Sequence, residues 1–114
     1  MTSLLSLANR FEQASHTYAA DNNIARSDEW FVLKMQEELG ELTQVWMKWA
    51  GHGRRKGLTS EELHHELANE TADLLGHVLL FAQKNNVDLQ AAIMRKWRFD
   101  PEAPLTNGPK TDQD

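Results

Sequence analysis

The chain has 114 residues, 40% of them apolar and 25% charged, enough for one soluble globular domain and not two. It contains no cysteine, which excludes disulfides, thiolate catalysis and cysteine-held zinc and is compatible with a reducing cytoplasm. The net charge of −5 argues against a nucleic-acid polymer as partner, since such binders present a basic surface.

Four helices are predicted in chain order, with no strand-like alternation between them. The first spans about Ser3 to Ala20, where Leu4, Leu7, Ala8, Phe11, Ala14, Ser15 and Tyr18 recur at three- and four-residue steps. Asp21-Asn22-Asn23 is its stop, because asparagine tolerates the left-handed conformation found there. The second begins at the N-cap candidates Ser27 or Asp28 and runs to about Ala50, with Phe31, Met35, Leu39, Leu42, Trp46 and Trp49 expected as its buried stripe. Gly51-His52-Gly53-Arg54-Arg55-Lys56-Gly57 breaks it as a flexible, basic turn.

Thr59-Ser60-Glu61-Glu62 is a capping box that opens the third helix, which runs to about Asn85 with Leu63, Leu67, Thr71, Leu74, Val78 and Phe81 as its stripe. Asp88 caps a short fourth helix carrying Leu89, Ala92, Ile93 and Trp97. Residues 1–100 are expected to form a single all-α domain. Residues 101–114 form an irregular tail, disordered in part after Thr106. No apolar run reaches the roughly 20 residues of a membrane span, and the N-terminus lacks the pattern of a signal peptide. The expected architecture is a four-helix-bundle-like protomer with two long antiparallel helices, its core completed by oligomerisation.

Polar residues on the two long helices carry the chemistry. Lys34, Glu38, Glu41 and Val45 follow steps of 4, 3 and 4 on the second, and Glu66, Glu70, Asp73 and His77 follow the same steps on the third. In an antiparallel hairpin, Glu38 and Glu41 can oppose Glu70 and Asp73. Carboxylates crowded beside a core repel one another and resist desolvation, so some must protonate or a cation must sit among them. An oxygen-only set suits Mg²⁺ or Mn²⁺, and such ions commonly carry substrate phosphates. Taken alone, Glu-x-x-Glu or Glu-x-x-Asp on a helix is most often a solvated face; their joint occurrence in phase is what points to a site.

Other residues have bland readings beside the functional one. Trp46 and Trp49 fit the core, whereas Trp30, near the start of the second helix, is a candidate to stack on a base. His77 can hydrogen-bond a sugar or base, or simply pack. The Arg54-Arg55-Lys56 run reads as a solvated turn. Glu61-x-x-His64 and Glu62-x-x-His65 echo di-iron ligand pairs, but these need two facing helices.

The block Lys34-Met35-Gln36-Glu37-Glu38-Leu39-Gly40-Glu41-Leu42, followed by Glu70-Thr71-Ala72-Asp73-Leu74-Leu75, resembles the MazG-type nucleoside triphosphate pyrophosphohydrolases, with their E-E-x-x-E and E-x-x-D motifs. Val87-Asp88-Leu89 followed by Lys96 resembles the segment that closes the family's site, and the likeness covers roughly residues 28–97. His77 stands where a tyrosine is common, and Trp97-Arg98-Phe99-Asp100 replaces the usual asparagine and basic residues. The resemblance implies an all-α enzyme that converts a nucleoside triphosphate to monophosphate and pyrophosphate with Mg²⁺, in a nucleotide-pool cleansing role. It implies Glu38, Glu41, Glu70 and Asp73 as metal ligands and Glu37 as a neighbouring acid or base, with proton abstraction falling to Glu37, Glu38 or Glu41. Lys34 and Lys96 would approach phosphate oxygens, and the protein would be a homodimer or a tetramer built from dimers. The rival readings are a phosphohydrolase of another phosphorylated metabolite, and a non-catalytic helical oligomer that binds a nucleotide or a protein.

Overall fold

The computed structural model describes residues 3–105, so the expectation for the tail beyond Leu105 falls outside the described residues. Four helices and no strand are present among them: α1 (Leu4–Asp21), α2 (Asp28–Trp49), α3 (Ser60–Lys84) and α4 (Leu89–Trp97). Each begins where a side-chain oxygen can satisfy a free backbone N–H. Ser3 accepts from Ser6 N, Ser27 from Trp30 N and Asp88 from Ala91 N. At α3 the capping box is complete, with Glu62 N donating to Thr59 Oγ1 at 3.0 Å and Thr59 N to Glu62 Oε1 at 2.9 Å. The stops are also as expected, since Asn23 and Asn86 adopt positive φ just past α1 and α3.

The two long helices form an antiparallel hairpin. Lys84 Nζ lies 3.3 Å from Asp28 Oδ1 at one end, and Trp49 packs against His64 at the other. The basic turn joins them, with Arg55 donating to Ser60 Oγ and to the Trp49 carbonyl, while Arg54 and Lys56 stay exposed. Phe31 and Val45 of α2 and Leu63, Leu79 and Leu80 of α3 are buried core residues, each side chain of this size contributing about 1.5–3 kcal/mol. The α1 helix packs on the C-terminal half of α3. There Phe11 lies so close that a Cβ built on Gly76 would sit 2.7 Å from its Cε1.

The buried stripes differ from the expected ones. On α2, Leu39 is 51% exposed and Trp46 43%, while Glu38 is 6% exposed and Val45 is buried. On α3, Thr71 and Val78 are exposed, and Leu79 and Leu80 are buried instead. Tyr18 of α1 is exposed and Ala19 buried. The acidic flanks of the two helices meet along one side of the hairpin, with Glu38 buried between them. This leaves Val32, Leu39 and Trp46 of α2 and Leu75 and Val78 of α3 as apolar surface. By helical phase these residues occupy the flanks opposite the acidic ones. No helix among the described residues is long and apolar enough to cross a membrane.

Candidate metal centre and adjoining cleft

Because α2 and α3 run antiparallel with their acidic flanks on one side, residues separated by a long loop converge. Ligand atoms of Glu37, Glu38 and Glu41 lie within 4.8 Å of one another, as do those of Glu38, Glu70 and Asp73. Glu38 belongs to both triads and is the buried one. Glu70 is half-buried, and Glu37, Glu41 and Asp73 are exposed. All four ligand residues expected from the sequence, with Glu37, are therefore in one cluster. This cluster could hold a metal ion.

The electrostatics follow from this crowding. Burial raises the Glu70 pKa above the usual carboxylate value, and the charges of Glu41, Asp73 and Glu38 raise it further. Its Oε1 is shut off from solvent with no hydrogen-bond partner, an orphaned acceptor that a cation would satisfy. Lys34 is the cation at hand, its Nζ 3.0 Å from Glu37 Oε1 and 3.5 Å from Glu38 Oε2. Burial pulls the Lys34 pKa down, but its hydrogen bond to Glu37 and the charges of Glu37 and Glu38 outweigh that and raise it. One lysine does not neutralise five carboxylates.

Beside the cluster, sharing Lys34 and Asp73 with it, lies a cleft of about 380 Å³ between α1 and the hairpin. Phe11, Ala14, Ser15, Tyr18 and Ala19 form the α1 wall. Trp30 and His77 stand in the opposite wall with their rings edge to face at 5.8 Å. The His77 Nδ1 is buried without a partner. Burial lowers the His77 pKa and Lys34 lowers it further, against the opposing charges of Asp73 and Glu37, so the imidazole is neutral at pH 7. The cleft is thus mostly apolar and carries a neutral imidazole and a lysine at its acidic edge, the mixture expected of a small-molecule site.

The sequence sets Lys34 and His77 on the acidic stripes and offers Trp30 as a base-stacking candidate, and the fold brings all three to this cleft. Lys96 is different. It is exposed on α4, does not line the cleft, and has no carboxylate of the cluster within ion-pair distance. The di-iron echo is also absent: Glu61, Glu62, His64 and His65 are exposed at the start of α3. The contribution of α1 to the cleft was missed. The sequence shows Phe11, Ala14, Ser15 and Tyr18 only as one apolar face, and nothing in their spacing tells which helix they meet. No protein-family model, no curated protein and no solved structure matches the chain.

Proposed function

We propose that this protein is a Mg²⁺-dependent nucleoside triphosphate pyrophosphohydrolase, releasing the nucleoside monophosphate and pyrophosphate. The observation that carries the reading is the buried Glu38 shared by two carboxylate triads at the mouth of a ring-sized cleft. Its support is the donor chemistry, oxygen-only with one orphaned acceptor, which suits a hard ion such as Mg²⁺ or Mn²⁺ better than zinc. The resemblance of the Glu37-Glu38-x-x-Glu41 and Glu70-x-x-Asp73 blocks to the MazG-type enzymes points the same way.

Glu38, Glu41, Glu70 and Asp73 would hold the ion. When bound, it supplies charge neutralisation at the phosphates. The triphosphate lies along the acidic edge, with its nucleoside in the cleft. Trp30 offers a ring face or edge to the base, and the neutral His77 offers a hydrogen bond to base or sugar. A water attacks the α-phosphorus. The bond from that phosphorus to the bridging oxygen breaks, and pyrophosphate leaves with the bonding pair. Glu37 or Glu41, the exposed members of their triad, takes the proton of the water. The Lys34 ammonium faces charge developing on the phosphate oxygens. The apolar flank of Val32, Leu39, Trp46, Leu75 and Val78 would be covered by a second copy of the chain, giving a homodimer or a tetramer of such pairs.

A panel of ribo- and deoxyribonucleoside triphosphates with Mg²⁺, assayed for pyrophosphate and monophosphate, tests this. The expected result is metal-dependent pyrophosphate release. In Glu38→Gln and Asp73→Asn it should fall on the order of 100-fold or more while the helical circular dichroism persists. Turnover that survives chelation, or release of orthophosphate in place of pyrophosphate, would overturn it.

A further inference from the structure

The cleft has one wall that is thinly held. Between α1 and the hairpin, the packing runs almost entirely through α3, where Phe11 rests on the bare backbone of Gly76. On the α2 side, the side-chain hydrogen bonds to α1 come from a residue of the loop. Arg26 stands one position before Ser27, the N-cap of α2, and its guanidinium lies 5.3 Å from the ring centroid of the buried Phe31. From that anchor it reaches back to α1. Its Nη1 donates to Glu12 Oε1 at 3.0 Å and to Ser15 Oγ at 3.1 Å, and its Nη2 donates to Glu12 Oε2 at 2.7 Å.

This fork is built as a structural pair and not as a surface ornament. The Arg26 side chain is only 14% exposed and Glu12 33%. Bidentate guanidinium–carboxylate geometry fixes direction as well as distance, which an ammonium cannot do. The hydrogen bond from Arg26 holds the Glu12 carboxyl below its ordinary pKa despite the opposing effect of burial. Ser15, the third partner, is itself in the α1 wall of the cleft, one helical turn from Phe11 and beside Ala14. Arg26 does not line the cleft.

We propose that Arg26, through its fork to Glu12 and Ser15, is a positioning residue that fixes how far α1 stands from Trp30 and His77, and so sets the fit of the substrate's ring without touching it. The proposal rests on the reading that the cleft receives the nucleoside. Arg26 pairs with Glu12 and Ser15 and with no carboxylate of the cluster, so its loss acts on binding and leaves the chemical step alone.

The test compares wild type with Arg26→Lys, Glu12→Gln, the milder Ser15→Ala, and the exchanged pair Glu12→Arg with Arg26→Glu. Two readouts need no substrate: amide hydrogen exchange across residues 8–19, and acrylamide quenching of tryptophan emission in a Trp46→Phe, Trp49→Phe, Trp97→Phe background that leaves Trp30. The third is steady-state kinetics on whichever nucleotide the wild type turns over. Arg26→Lys and Glu12→Gln should speed exchange in α1 and expose Trp30. KM should rise roughly 10-fold with kcat within about 3-fold, a split marking lost fit and not lost chemistry. The exchanged pair should recover at least part of the KM. Unchanged exchange and quenching in both single variants, or a fall in kcat at constant KM, would overturn the proposal. Should Arg26→Lys fail to fold, Ser15→Ala decides alone, by the same exchange and KM criteria. If wild type hydrolyses no nucleotide, the functional reading fails, while exchange and quenching still judge whether the fork holds α1.

Discussion

Replacing Glu70 by glutamine separates the cost of the acidic cluster from its use. The change keeps the volume and the hydrogen-bonding shape of the side chain but removes one charge from beside Glu38, Asp73 and Glu41. Two unit charges at 4.8 Å repel by about 3 kcal/mol at an effective dielectric of about 20. Solvent at the exposed Asp73 and Glu41 and partial protonation cut this, so a net gain of about 1–2 kcal/mol is expected without metal. For a domain of this size each kcal/mol moves Tm by about 4–8 °C. The gain depends on pH in a fixed direction. Glu70 has a folded pKa raised above its unfolded value, so its favourable contribution is full below the unfolded pKa. That contribution is lost as pH rises through the folded pKa.

Without metal, the gap between the Tm values of Glu70→Gln and wild type should therefore widen as pH rises above the ordinary carboxylate range, because only wild type carries this component. Mg²⁺ reverses the order. At 100 times its Kd it stabilises wild type by about 2.7 kcal/mol, and glutamine should lose most of that shift. Calorimetry of both proteins at pH 5 and pH 8, with chelator or Mg²⁺, gives four comparisons. A variant that melts below wild type at pH 8 in chelator, or that responds to Mg²⁺ as wild type does, would refute the reasoning.

Three further outcomes are expected. His77→Phe keeps the ring but removes the buried Nδ1, so KM should rise roughly 10-fold and preference among bases should flatten; unchanged selectivity across the nucleotide panel would count against a reading role. Gly76→Ala forces a methyl to within 2.7 Å of Phe11 and should destabilise by about 1–3 kcal/mol in urea unfolding, with Phe11→Leu in the same chain recovering part of the loss. Leu39→Lys with Trp46→Glu places charges on the exposed apolar flank, and light scattering should report a shift from a multimer to the monomer at unchanged helix content; a wild type that is already monomeric at 50 µM would end that argument.

The helices were legible because each is written locally. Ser3, Ser27, Thr59 and Asp88 cap their own chains, and Asn23 and Asn86 take up positive φ a residue or two past the ends. The acidic cluster was legible because two short motifs lie in phase on two helices that a basic turn folds together. The core stripe of α2 was not. Apolar residues cover two flanks of that helix, and their periodicity does not say which flank meets α3 and which stays uncovered in the chain. Counting Leu39 and Trp46 as core and Glu38 as its border follows from hydropathy alone, whereas in the fold the carboxylate is the buried one. The α1 wall and the Arg26–Glu12 fork were illegible for another reason. Partners 14 residues apart across a loop leave no periodic trace, and neither does the docking of α1 on Gly76.

One bond ties the segment that follows α4 to this wall. Leu4 N, at the positive end of α1, donates at 2.8 Å to Glu102 Oε2, 98 residues away in sequence. Residues 4 and 102 are thereby neighbours in space, and among the described residues the fold closes into a ring with one short gap. The gap could be sealed by a brief linker and the ring reopened in the Gly51–Gly57 turn, giving a permuted chain whose α1 follows directly from α4.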